Sequence, residues 1–307
     1  MVVEPDPLEP RGEAGERRGR AVVSSTVRRR QLGLRLRELR QQRGMTAEEV
    51  AGELLVSTAK VTRMETGARG VNLRDVRDLC ALYGVEDSER EHLMALARDS
   101  KERSWWQQYD LPFSSYSGLW NRLYVGLEES ATNISDYHSS VVHGLLQTED
   151  YVRAITEGSL PDATEQLVEE QVKTRLTRQK ILDRARPPRL WVVMDEAVLH
   201  RVVGGPAVMK AQIESLVELA NRPNITIQLI TFGAGAHLGM DSNFTILQGD
   251  DPPWEVIYVE GLAGQQYLES PSDLGRYKQI FDHLRAIALG PKDSVRKAAE
   301  IAASYAP

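Results

Sequence analysis

The stretch from Thr46 to Gly67, TAEEVAGELLVSTAKVTRMETG, holds two helix starts with room for only a tight turn between them. Thr46 followed by Glu49 is a capping box, in which side chain and backbone satisfy each other's end groups. Ser57 is a second N-cap, its hydroxyl placed to accept from an N–H of the first turn. Only Leu55-Val56 separates the two helices. Gly67 can take the left-handed conformation that ends the second helix at no steric cost. Helices this short and this close cannot lie side by side as a long hairpin. They must cross steeply, as a helix-turn-helix does.

Turned at about 100° per residue, the second helix gathers Val61, Met64 and Glu65 on one side. Ala59, Thr62, Arg63 and Thr66 gather on the other, with Lys60 on the flank and Thr58 at the open N-terminal end. The outward side is short, polar and basic. Such a helix fits the major groove, about 12 Å wide, with its N-terminal residues against base edges. The competing reading is an exposed helix face with no partner. Charge favours the first reading. Residues 28–77 hold twelve Arg and Lys against six acids, which leaves the rest of the chain at −12 for a total of −6. A basic segment on an acidic chain points to a local polyanion site.

At residues 32–97 the chain resembles the Xre-type, lambda-repressor-like DNA-binding domain. The likeness runs through LRLRELRQQRGMTAEEVAGELLVSTAKVTRMETGARG and on into NLRDVRDLCALYGV. It implies five helices, at about 32–43, 47–54, 58–66, 73–82 and 88–99. Asn72 with Asp75 reads as the cap of the fourth and Ser88 with Glu91 as that of the fifth. Leu36, Leu39, Val50, Leu54, Val61, Met64, Val76, Leu79 and Leu82 would form a small core, with Cys80 as a small apolar group within it. The resemblance also implies roles. Arg40 and Glu65 fall where the family often has a structural ion pair. Thr58, Ala59 and Arg63 fall at base-reading positions, joined by Lys60 and Thr62 beside them. Thr46, Thr66 and Arg69 fall near phosphate-contact positions, with Ser57 alongside. Two departures stand out. Ala47 replaces a frequent glutamine, and Leu55 replaces a frequent glycine in the turn.

Beyond KERSWWQQYDLPFSSYSG, read as a connector over 101–118 whose Trp105 and Trp106 fill the joint between domains, the pattern changes. Helices are expected at 119–135, at 148–157 under a Thr148 cap, and at 163–184. RLWVVMD is strand-like, 207–220 is a helix, and ITIQLITF is a strand again, which predicts a right-handed parallel crossover. Three further strands, at about 243–248, 254–260 and 266–269, precede a helix at 273–288. The fold class predicted is two domains, an N-terminal all-α five-helix domain over 27–100 and a C-terminal mixed α/β domain over 119–290. Residues 1–26 and 291–307 read as tails, the first disordered.

HGLLQTEDYVRAI, the run from PPRLWVVMDEAVLH to QLITFGAGAH, and VIYVEGLAG resemble the C-terminal domain fused to Xre-type domains in many actinobacterial regulators. That resemblance spans about 115–288. It implies an antitoxin-like regulator, frequently paired with a small acidic partner protein, and supplies no biochemical activity. The function expected is a sequence-specific DNA-binding transcriptional regulator, a homodimer on double-stranded DNA. Its C-terminal domain would bind a partner protein or ligand that modulates DNA binding. The alternatives are an antitoxin-like interaction protein and a sensor with a degenerate enzyme domain.

No enzyme is expected. None of the six histidines sits in an HExxH motif or a metal pair at helical spacing. His237, in GAGAHLGM, reads as a turn residue, and Asp195-Glu196 as solvated acids at a strand end. The single cysteine excludes a disulfide within the chain and a Cys-based zinc site. No cofactor, metal or membrane span is expected. The location expected is cytoplasmic, nucleoid-associated when bound to DNA.

Overall fold

The computed structural model describes residues 25–67, 71–100, 122–250, 253–261 and 264–305. The tail expected over 1–26 (save its last two residues), the connector at 101–118 with Trp105 and Trp106, and Arg69 lie outside them. The first unit is all helical: α1 (Ser25–Gln42), α2 (Ala47–Glu53), α3 (Thr58–Glu65), α4 (Leu73–Tyr83) and α5 (Asp87–Asp99). Leu32, Leu36, Val50, Val61, Met64, Val76, Leu79 and Leu93 form its buried centre, while Leu54 and Leu82 pack at its margin. Cys80 is buried there, and burial pushes its thiol pKa up, so it behaves as an apolar filler. The fifth helix starts differently from expectation. It begins at Asp87 under Glu86 with no side-chain cap, so Ser88 and Glu91 lie inside the helix.

The second unit joins one mixed sheet to helices on both faces. In chain order it runs α6 (Arg122–Ser130), β1 (Asn133–His138), α7 (Glu149–Ser159), α8 (Glu165–Gln179), β2 (Arg189–Asp195) and α9 (Ala197–His200). Then follow α10 (Pro206–Leu219), β3 (Ile225–Ile230), β4 (Phe244–Asp250), β5 (Pro253–Gly261), β6 (Gly264–Leu268), α11 (Pro271–Ile287) and α12 (Pro291–Ser304). The strand order is β3-β2-β1-β4-β5-β6. β2 and β3 pair in parallel across α10, as the crossover predicts.

Residues 133–135, expected at the end of a helix, open β1, a central strand that pairs parallel with β2 and antiparallel with β4. NISDYH carries a buried aspartate in its middle, so it lacks the apolar alternation by which a strand is read. Residues 291–304, expected in a tail, form α12. Its Ala298, Ile301 and Ala302 enter the main core, and the Ser294 hydroxyl accepts from the Leu229 N–H at 3.0 Å. Its inward face is built largely of small side chains, Ser294, Ala298 and Ala302, with Ile301 among them.

Successive residues on each strand face opposite ways. Ile134, Leu190, Val192, Met194, Ile227 and Leu247 meet the α6, α10 and α12 side. Tyr137, Val193, Phe244, Ile246 and Ile257 meet Phe281 and Leu284 of α11. The two units touch through α1. Val27 joins the main core of the sheet unit, and Arg30 Nε donates to Glu269 Oε1 at 2.6 Å.

Candidate functional site

The turn between α2 and α3 is built by its caps. The Glu49 N–H donates to the Thr46 hydroxyl at 3.2 Å, and the Thr46 N–H donates to Glu49 Oε2 at 2.7 Å. The Lys60 N–H donates to the Ser57 hydroxyl at 3.2 Å. Thr46 and Ser57 therefore hold helix ends, with their side chains still exposed. Leu55 takes φ 53°, the left-handed region, and is 94% exposed. A branched side chain is strained there by about 1–2 kcal/mol, against the ~0.5–1 kcal/mol that glycine loses in entropy. Leu55→Gly is accordingly expected to raise stability slightly, by about 0.5–1 kcal/mol. Thermal melts of the full chain measure this directly, and a lower melting temperature would contradict the strain.

The outer face of α3 follows from what the helix buries. Val61, Met64 and Glu65 are buried, while Thr58, Ala59, Thr62, Arg63 and Thr66 are exposed. The Thr62 hydroxyl donates back to the Thr58 carbonyl at 3.1 Å and the Thr66 hydroxyl to the Thr62 carbonyl at 2.9 Å. Both keep acceptor lone pairs on the outer surface. Lys60 is placed differently from the other members of the expected base-reading set. It is half-buried, and its Nζ lies 3.0 Å from the Asp75 carboxylate at the start of α4. It thus ties α3 to α4, and Arg63 is the exposed cation of the helix. The sequence gives no warning of this, because Asp75 is already accounted for as part of the Asn72 cap.

α3 is fixed on α1 by three contacts. Arg40 donates from Nε to Glu65 Oε1 at 2.6 Å and from Nη2 to Oε2 at 3.0 Å, a two-bond fork. Its Nη1 donates to the Met45 carbonyl at 2.7 Å. Gly33 sits under the last turn of α3, where a Cβ would lie 2.5 Å from the Glu65 carbonyl oxygen. Gly67, at φ 68°, ends the helix against the backbone of Arg30, 2.9 Å from where its Cβ would stand. The exposed polar face is thereby presented on a rigid base, and its position is coupled to α1.

Asp195, Glu196 and His237 are engaged in the fold. Asp195 Oδ1 accepts from the Ala197 N–H at 2.8 Å, and Glu196 Oε2 accepts from the Phe232 N–H at 3.0 Å. His237 accepts the Gly239 N–H on Nδ1 at 3.2 Å, with Nε2 3.5 Å from Asp195. Both ring nitrogens are thus occupied in holding a turn. Among the described residues no group of three or more His, Cys, Asp or Glu is placed to hold a metal ion. Among them, no helix is long and apolar enough to cross a membrane.

One feature escaped the sequence reading. A cavity of about 450 Å³ opens beside the C-terminal end of β1, between α6, α7, α8 and the β4–β5 pair. Arg175 and Arg178 of α8 line it. Arg178 makes a buried fork with Glu128 of α6, at 2.9 and 2.8 Å. Arg175 is 5% exposed, and among the described residues its Nε has no hydrogen-bond partner. Their helical spacing in TRLTRQ looks like an ordinary basic helix face, and nothing local reveals that it turns inward.

Family models match the chain in two places: a helix-turn-helix domain at residues 31–93, and a domain of unknown function (DUF5753) at residues 121–299. No curated protein and no solved structure matches it.

Proposed function

Because the chain belongs to the family defined by the domain of unknown function DUF5753 and carries a helix-turn-helix domain ahead of it, we propose that it is a sequence-specific transcriptional regulator. In this reading α3 enters the major groove, and Thr58, Ala59, Thr62 and Arg63 meet base edges. Thr46, Ser57, Thr66 and Arg69 lie near phosphates. The observation that carries it is the outer face of α3, polar, exposed and short-chained apart from Arg63, set on a rigid base by the Arg40–Glu65 fork. Lys60 acts here through Asp75 rather than on a base. The chain binds as a homodimer on half-sites about one helical turn apart. It acts in the cytoplasm, with the nucleoid when on DNA.

The DUF5753 half, in the same reading, is regulatory. It binds a ligand or a small acidic partner protein, and this changes DNA occupancy. The Xre-type affinity belongs to this proposal through the resemblance at residues 32–97, and the antitoxin-like affinity and an actinobacterial origin through that of HGLLQTEDYVRAI, the run from PPRLWVVMDEAVLH to QLITFGAGAH, and VIYVEGLAG. No catalytic role is assigned to the chain. The physical support is the contact at α1, whose Val27 and Arg30 reach into the sheet unit while its Gly33 packs on α3.

Arg63→Ala tests the recognition face. If Arg63 makes a bidentate base contact, its loss costs about 1–3 kcal/mol of specific affinity and relaxes base preference. After genome-wide mapping of bound DNA supplies an operator, a gel-shift series with single-base variants reads both effects. Unchanged affinity and preference would remove α3 from the groove.

A further inference from the structure

The cavity beside β1 has the features of a built ligand site. Its volume, about 450 Å³, falls in the range of about 300–1,000 Å³ usual for small-molecule pockets. It lies at the carboxyl end of β1, where the sheet changes from parallel pairing with β2 to antiparallel pairing with β4. Ligands in open α/β sheets bind at such strand ends, beside a change in strand order. The walls mix aromatic surface from Tyr124 and Tyr258 with polar groups from His138, Ser140 and Gln147.

Its chemistry is set by Arg175. A guanidinium this deeply buried is expected to be paired, because taking an isolated charge out of water is costly. The nearest arginine neighbour, Arg178, repels it and has already taken Glu128. Burial and that repulsion both lower the Arg175 pKa. Glu260 also lines the cavity, with its Oε1 unpartnered. Burial raises its pKa, against the pull of its hydrogen-bonding neighbours Tyr258 and Gln265 and of the Arg175 charge. His143, buried at the same wall, is kept neutral mainly by burial. Among the described residues no carboxylate forms a salt bridge with Arg175, and its Nε is left without a partner.

We propose that this cavity binds a small molecule through a carboxylate or phosphate group held by the Arg175 guanidinium. The proposal rests on the reading of the DUF5753 half as regulatory, and names the chemical class of its ligand. Arginine suits that task because its planar fork matches both anions in a bidentate manner. The floor of the cavity also reaches the DNA-binding unit. Asp136, Thr245, Tyr258 and Tyr267 stand in register on one face of four adjacent strands. Tyr124 and Tyr258 have ring centroids 4.5 Å apart, and Tyr258 and Tyr267 5.3 Å apart. The Arg30 guanidinium lies 4.9 Å from the Tyr267 ring centroid, and the Arg30 backbone carries Gly67 at the end of α3. A ligand against Tyr124 and Tyr258 therefore touches the same packed row that seats α1.

The test uses the full-length protein with phenylacetate, phenyl phosphate and the neutral phenylacetamide, each followed by thermal shift and calorimetric titration. One or both anions are expected to bind saturably, the pair telling carboxylate from phosphate, and the amide at least about tenfold more weakly. Arg175→Met should lose at least about tenfold in anion affinity while its unliganded melting temperature stays equal or rises, since an unpaired buried charge has been removed. Should that variant fail to fold, Ser140→Phe fills the cavity from the loop after β1 and should abolish binding by itself. Absence of binding by both anions, equal binding of the amide, or undiminished binding to a folded Arg175→Met or to Ser140→Phe would each overturn the site. Operator affinity measured with and without the bound anion is a separate readout. An anion that binds through Arg175 yet leaves operator affinity unchanged would uphold the site and overturn the regulatory reading.

Discussion

Glu128→Ala is expected to destabilise the folded chain by about 3–5 kcal/mol, because it leaves the Arg178 guanidinium buried without its carboxylate. The pair is almost wholly enclosed, at 3% and 1% side-chain exposure. In a unit of this size such a loss lowers the melting temperature by roughly 10 °C. The double change Glu128→Leu with Arg178→Met should be milder than the single one, since no charge is then stranded. Burial works to raise the Glu128 pKa, but the charge and hydrogen bonds of Arg178 outweigh it and hold the carboxyl below the usual range. A depressed folded pKa contributes stability that is full above the unfolded value of about 4.3 and lost as pH falls through the folded one. The gap in melting temperature between the parent and Glu128→Gln should therefore narrow as pH falls below about 4.3. A gap that stays constant down that window would show that the fork is not what holds the proton off.

The second large effect concerns Arg40 and Glu65. Either Arg40→Met or Glu65→Leu alone is expected to cost about 3 kcal/mol, at the low end for a buried pair because Arg40 remains 14% exposed. Combined, the two changes should cost clearly less than the sum. Thermal melts of the four proteins form a double-mutant cycle. Additive losses would mean that the fork contributes no coupling and that each side chain matters only through its packing. The same variants report on function, because this fork seats α3. Glu65→Leu should weaken operator binding even in the fraction that remains folded.

How much of this was legible in the chain differs between the two halves. The N-terminal half was read well because its signals are local. Thr46 with Glu49, Ser57, Asn72 and Gly67 act on backbone groups within three or four residues of themselves. The inward set Val61, Met64 and Glu65 follows from a period of 3.6 alone. The fifth helix shows the limit of that approach, since two cap-like residues at Ser88 and Glu91 were drawn inside a helix that began one residue earlier.

The C-terminal half was legible where one face of an element is continuously apolar, as in RLWVVMD and ITIQLI. It was illegible where a buried element carries polar groups that are satisfied only by distant ones. β1 hides because Asp136 is buried against Thr245, whose hydroxyl donates to it at 2.7 Å from a strand far along the chain. α12, expected in a tail, is held by Ala298, Ile301 and Ala302 in the core and by Ser294, whose hydroxyl meets the Leu229 N–H of a distant strand.

The helix-turn-helix and the charge asymmetry were thus determined by the sequence itself, through caps, period and composition. Tertiary structure alone decided that Lys60 turns to Asp75 and that Arg178 takes Glu128. It also decided that Arg175 is left facing a cavity assembled from α6, α7, α8, β4 and β5. The physical reason is the range of the forces. Capping bonds and helix periodicity act over one turn, whereas the partner of a buried charge is chosen by whichever carboxylate the packed core carries within reach.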